Sequence, residues 1–133
     1  MANKSKKILS EISAGELLDK ISILEIKLDK IKDSDSQNKI KKEYQMLKEA
    51  EKEHIENTEL VKKLFGEIKV INQNLWGIED KLRICEKNKE FGKDFIQLAR
   101  GVYLNNDKRA KVKSEINKIL GSNIVEIKKY VDY

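Results

Sequence analysis

The stretch "VKKLFGEIKVINQNLWGIEDKLRIC", Val61 to Cys85, decides how the chain folds. Val61, Leu64, Ile68, Ile71, Leu75, Ile78, Leu82 and Cys85 recur in steps of three and four, so on a helix they line up as one unbroken apolar stripe. A heptad rhythm held this long is the pattern of a coiled-coil-like seam. Leu60, Phe65 and Trp76 widen the stripe, which predicts that several helices pack on this one. With its flanks the helix spans roughly 30 residues, or about 45 Å. Gly66 and Gly77 each cost it about 1 kcal/mol relative to Ala and read as tolerated positions or close approaches.

The remaining helices fall into place around it. "SAGE", Ser13 to Glu16, is a capping box that starts helix one at Ala14. Leu17, Ile21, Leu24, Leu28 and Ile31 carry that helix to about Lys32, where "DSDS" ends it. Helix two is expected from about Gln37 to Glu56, with Ile40, Tyr44, Leu47, Ala50 and His54 inward, and Asn57 or Thr58 caps helix three. "NKEFGKD", broken at Gly92, turns the chain into helix four at about Lys93. Phe95, Leu98, Ala99, Val102 and Tyr103 face inward there, as do Ile116, Ile119 and Leu120 further on, and Gly121 is the C-cap. The tail "NIVEIKKYVDY" is expected to make one or two turns and then run extended, with Tyr130 and Tyr133 docked on the bundle.

The predicted fold is all-α: an antiparallel bundle of four main helices with one long coiled-coil-like central helix and a short C-terminal segment. It forms one domain, divided into an N-terminal arm (1–12), the bundle (13–121) and the C-terminal segment (122–133). Helix three outruns helix one, so either it overhangs or a second copy covers the excess; the expectation is a homodimer.

Composition narrows the function. Of 133 residues, 38% are charged and 39% hydrophobic, with no proline, the blend of long solvated helices. No run approaches the roughly 18 apolar residues of a membrane span, and "MANKSKKILSE" has no apolar core behind its charges, so a cytoplasmic location is expected. Cys85 and His54 stand alone, which argues against disulfides, metals and metal cofactors. The net charge of +5 has local peaks at Lys4, Lys6 and Lys7, at Lys39, Lys41 and Lys42, at Lys62 and Lys63, and from Lys108 to Lys118. Acids are interleaved and stacking aromatics are few, so these read as solvated faces rather than a nucleic-acid surface.

The functional clue is "GVYLNNDKRAKVKSEIN", Gly101 to Asn117, where the apolar stripe of helix four turns polar. Stepping on from Val102 gives Asn106, Arg109, Lys113 and Ile116, or Asn105, Arg109, Val112 and Ile116; Arg109 faces inward in both. Arg83, Arg100 and Arg109 are the only arginines among 28 basic residues, and Arg is expected where a planar donor fork is needed. Glu79 and Asp80 lie one turn before Arg83, and Asp107 lies beside the interruption; Asp19, Ser22, Glu25 and Asp29 fall on the polar side of helix one. One reading is a polar network that pins helix register, Arg109 to Glu79 or Asp80 with Asn106 closing it. A second is an interhelical pocket for a small anion, built from Arg83, Arg100, Arg109 and Lys113. A third is a break in the helix capped by Asn105 or Asn106.

With "SAGELLDKISILEIKLDKI", "LWGIEDKLR", "FIQLARGVYLNNDKRAKVKSEIN" and the closing "YVDY", the chain resembles a family of small bacterial proteins known as a domain of unknown function. Ala14 departs from it, because the family often has proline there. The resemblance implies a single helical domain near cell-envelope sugar transfer and brings no known activity or catalytic residues; no cofactor is expected. A looser, architectural likeness to the all-helical chorismate mutases stops at helix one, which holds Lys20, Lys27, Lys30 and Lys32 but no Arg. The expected function is a non-catalytic interaction or scaffold protein with a protein partner; the competing expectation is a small-anion-binding protein or enzyme with the Arg pocket.

Overall fold

The computed structural model describes residues 6–133; Lys4 of the N-terminal basic cluster lies outside the described residues. Four helices follow one another: α1 (Ala14–Lys30), α2 (Ser34–His54), α3 (Glu59–Asn88) and α4 (Lys93–Leu120), and the described residues form no strand. Their ends follow from local chemistry. Ser13, Asp33 and Thr58 each accept the backbone N–H three residues on, at 3.1, 2.9 and 3.2 Å, and so satisfy donors that the first helical turn leaves unpaired. Asp33 thereby starts α2 earlier than periodicity alone suggests. Gly121 ends α4 in the left-handed region at φ 61°, where Cβ-bearing residues are strained.

The fold is an all-α helical bundle, but its centre is α1 rather than α3. α1 packs against all three other helices, α2 packs closely on α1 alone, and α3 and α4 form the most extensive pair. The reason is that α1 buries two stripes. Leu17, Leu18, Ile21 and Leu24 form an apolar one, while Gly15, Asp19, Ser22 and Ile26, spaced by four, three and four, form a second that is largely polar. The core joins Leu17, Leu18 and Ile21 to Ile55, Val61, Leu64, Ile68, Val112 and Ile116, with Tyr44, Leu47 and Ala50 of α2 against its edge. Each such side chain contributes about 1.5–3 kcal/mol on full burial.

Several inward assignments change. His54 points to solvent, and Tyr103 and Ile119 are exposed. The heptad stripe of α3 is buried at Val61, Leu64, Ile68 and, at its far end, Cys85, and half-buried at Ile71, Leu75, Ile78 and Leu82. The tail forms no helical turn beyond Gly121. It lies along α4 instead, with the Tyr133 ring edge-on to Tyr103 at 5.7 Å and its hydroxyl donating to Asp107.

The register of α1 against α4 sets what is covered. Gly15 faces Asn117 and Asp19 faces Arg109, so the two helices run antiparallel, and α1, about 25 Å long, ends at Asp29 and Lys30 beside Trp76, Gly77 and Asp80 of α3. Beyond that level α3 and α4 continue as a projecting hairpin, closed by the edge-to-face pair Phe91 and Phe95 at 5.2 Å.

Candidate functional site

Where the stripe of α4 turns polar, it meets the polar stripe of α1. Asn106, Arg109, Lys113 and Asn117 recur by three, four and four, and this row docks on Gly15, Asp19, Ser22 and Ile26. The interruption is therefore a second inward face, and α4 passes through it unbroken, which excludes the helix-break reading. Gly15 makes the docking possible: a Cβ there would stand 2.6 Å from the Lys113 carbonyl oxygen and 2.9 Å from Asn117 Oδ1. Instead the Gly15 N–H donates to Asn117 Oδ1 at 2.6 Å and the Ala14 N–H to Ser122 Oγ at 3.1 Å. Two orphan amides at the start of α1 are satisfied by the end of α4.

Asp19 sits at the centre with 1% of its surface exposed. Arg109 grips it with both arms of a fork, Nε to Oδ1 at 2.9 Å and Nη2 to Oδ2 at 2.5 Å. Asn72 of α3 donates to Asp19 Oδ1 and to Ser22 Oγ, both at 2.8 Å, and Ser22 donates to the Asp19 carbonyl at 2.7 Å. Lys113 Nζ stands 3.8 Å from Asp19 Oδ2 and donates to Glu16 at 2.7 Å and to Glu126 of the tail at 3.1 Å. Glu16 thus serves Lys113, and only the Ser13 half of the capping box forms. A buried carboxylate is tolerated only when charge and hydrogen bonds replace its water, and here both do. No fully buried side-chain polar atom among the described residues lacks a partner.

Proton affinities follow the pairing. The hydrogen bond to Asp19 holds the Arg109 guanidinium above its usual range, against the opposing cost of burial. Burial pulls the Lys113 ammonium down, but hydrogen bonds to Glu16 and Glu126 outweigh it and the net direction is up. The Lys113 hydrogen bond holds Glu126 below the ordinary carboxylate range.

Beside this network, at the base of the hairpin, a cleft of about 530 Å³ opens between α1, α3 and α4. Ile23, Ile26, Leu75 and Trp76 form its walls, Asn72, Asn106 and Arg109 its polar side, and Glu79, Asp80 and Arg83 complete it.

Two of the three arginines therefore line one cleft, and the structure separates the third. Arg109 pairs with Asp19, not with Glu79 or Asp80. Arg83 pairs with Glu79 on its own helix, at the surface. Arg100 is exposed and reaches only Gln97. Asp107 holds the tail, and Lys113 lies in the ionic network rather than in the cleft. Asn106 lines the cleft without closing the Asp19 network. Sequence reasoning set Asp19 and Ser22 among the candidate partners on the polar side of helix one without choosing them, and it passed over Asn72. The readable signals were Gly15, Asp19, Ser22 and Ile26 at helical spacing, and Asn72 between Ile68 and Leu75.

Among the described residues no group of three or more His, Cys, Asp or Glu side chains could hold a metal ion, and no helix is long and apolar enough to cross a membrane. An all-α bundle knit by a satisfied ionic network and flanked by an open cleft is the class that fold and site define. The chain belongs to the family of unknown function DUF6165, which it matches over residues 8–132. No curated protein and no solved structure matches it.

Proposed function

We propose that the protein is a non-catalytic helical interaction protein that works as a homodimer through the projecting half of its α3–α4 hairpin. The observation that carries this reading is an apolar pattern that outlasts its cover. Ile78 and Leu82 keep the heptad rhythm at and beyond the level where α1 ends, and Ile84 and Ile96 are 56% and 54% exposed. A second copy suits this surface electrostatically. Residues 73–106 carry six basic and five acidic side chains, so little of the chain's +5 net charge opposes pairing there. Two hairpins side by side make a symmetric coiled-coil-like four-helix contact, in which the same patch faces itself.

The setting we propose is the bacterial cytoplasm and the process is cell-envelope sugar transfer, as the family resemblance implies. The Asp19 network supports a non-catalytic role, because its charges are spent on one another and hold helix register. Sedimentation across a range of protein concentrations tests the dimer. The mass is expected to rise toward twice the 15.5 kDa of the chain, and Ile84→Asp is expected to hold it at the monomer value. A wild-type chain that stays monomeric at every concentration overturns the reading.

A further inference from the structure

We infer that the cleft at the base of the hairpin is a binding site for a small uncharged ring compound that has an apolar face and an adjacent hydrogen-bond donor and acceptor on one edge, such as an amide-bearing heterocycle. This goes beyond the interaction role and rests on different residues. At about 530 Å³ the cleft is of the size that encloses small organic molecules, and its mixture of aliphatic and aromatic walls with a few polar groups is typical of such sites.

Asn72 is the decisive group. It is 5% exposed, and its amide nitrogen is committed to Asp19 and Ser22, yet no donor among the described residues reaches its Oδ1. Since no fully buried side-chain polar atom is left unpaired, this oxygen must reach open space, and the cleft is the space that Asn72 lines. A nearly buried carbonyl oxygen held in place by two donated hydrogen bonds is a fixed acceptor awaiting a donor. Arg109 supplies the complement. Its Nε and Nη2 bond Asp19, no acceptor among the described residues takes Nη1, and Arg109 is one of the residues lining the cleft. Asn106, half-buried and without a side-chain partner among the described residues, adds a further carboxamide. Trp76, Leu75, Ile23 and Ile26 offer the apolar and stacking surface.

The charge count selects an uncharged ligand over the anion expected from the arginines. Arg109 is neutralised by Asp19 and Arg83 by Glu79, and Asp80, which has no ion-pair partner among the described residues, remains at the rim. An anion would meet that carboxylate, and it could recruit an arginine only by breaking an existing pair.

Trp76 is the only tryptophan of the chain and lines this cleft as well as the adjoining groove beside Lys69 and Gln73, so its emission reports binding at this end of α1. The test is to titrate the full chain with nicotinamide and uracil as uncharged probes, with benzoate and inorganic phosphate as anionic ones and benzylamine as a cationic one. Saturable change in Trp76 emission is expected with at least one uncharged probe, weakened about tenfold by Asn106→Ala, the loss of one hydrogen bond at about 1.4 kcal/mol. The Ile84→Asp chain is expected to bind equally well, which separates this site from dimerisation. Saturation by the anions alone, saturation by benzylamine that Asp80→Asn abolishes, or no saturable change with nicotinamide or uracil up to about 10 mM overturns the inference.

Discussion

From Asn106 to Asn117, α4 is held to α1 by a forked ion pair, a buried lysine and a carboxamide bonded to a backbone amide; from Phe95 to Val102 the same helix meets α3 through half-buried apolar side chains. The two stretches differ in what they specify. Directional bonds at Gly15, Asp19 and Glu16 match their partners in one register only, so a slip of one turn would bury a carboxylate without a partner. Apolar side chains at heptad spacing carry no such penalty and accept any helix with a matching stripe. The first stretch closes the monomer, and the second is the one we propose to pair with a second copy.

Substitutions can break or sharpen that contrast. Asp19→Ala is expected to cost about 3 kcal/mol, the low end for splitting a buried pair, because Arg109 is partly exposed and can turn to water. Urea unfolding measures it, and a midpoint unchanged from wild type would show that the network holds nothing. Gly15→Ala should follow at about 2 kcal/mol, the usual range for forcing a methyl group into a packed contact, since the new Cβ meets the backbone of Lys113. Thermal unfolding reads this change, and a stabilised protein, as the helix propensity of Ala alone would give, would refute the close approach.

Smaller effects belong to the edges of the two regions. The folded-state pKa of Glu126 is depressed, so its bond to Lys113 stabilises tail docking above the ordinary carboxylate pKa and is lost as pH falls through the lowered value. Lys113 is shifted up, and its contribution fails only as pH rises through its raised value, at the alkaline extreme. As Glu126 protonates, the tail should therefore lift from α4. Nuclear Overhauser contacts between the Tyr103 and Tyr133 rings should weaken in step, and their persistence after Glu126 protonates would argue against the latch. Least of all, Ile84→Asp should change stability by no more than about 0.5 kcal/mol, as an exposed substitution does, while abolishing self-association; a large loss of stability would mean that the hairpin tip belongs to the monomer core.

Much of the helical framework was legible from residue order. Caps at Ser13, Thr58 and Gly121 and the three-four rhythm of α3 are properties of adjacent residues, so they can be read in a line. The polar face of α1 was not. Asp19 and Ser22 look solvent-facing beside Leu18 and Ile21, because one helix considered alone has no reason to bury a carboxylate. Their spacing from Gly15 carried the information, but it acquires meaning only once α4 is known to lie against that glycine.

The same division runs through the site. That the chain's few arginines and the polar stretch of α4 matter follows from side-chain chemistry, since a planar fork placed on an inward path needs a planar acceptor. Which acceptor Arg109 finds does not follow, because candidates on α1 and α3 were equally near in kind. The choice of Asp19 over Glu79 and Asp80 comes from the crossing of α1 and α4, a long-range arrangement that places Asp19 deep in the packing and leaves Glu79 and Asp80 at the cleft. Residue order thus sets helix ends, periodicity and the chemical needs of each side chain. The pairing of those needs depends on distances between segments some 90 residues apart, as between Asp19 and Arg109, and these exist only in the folded bundle.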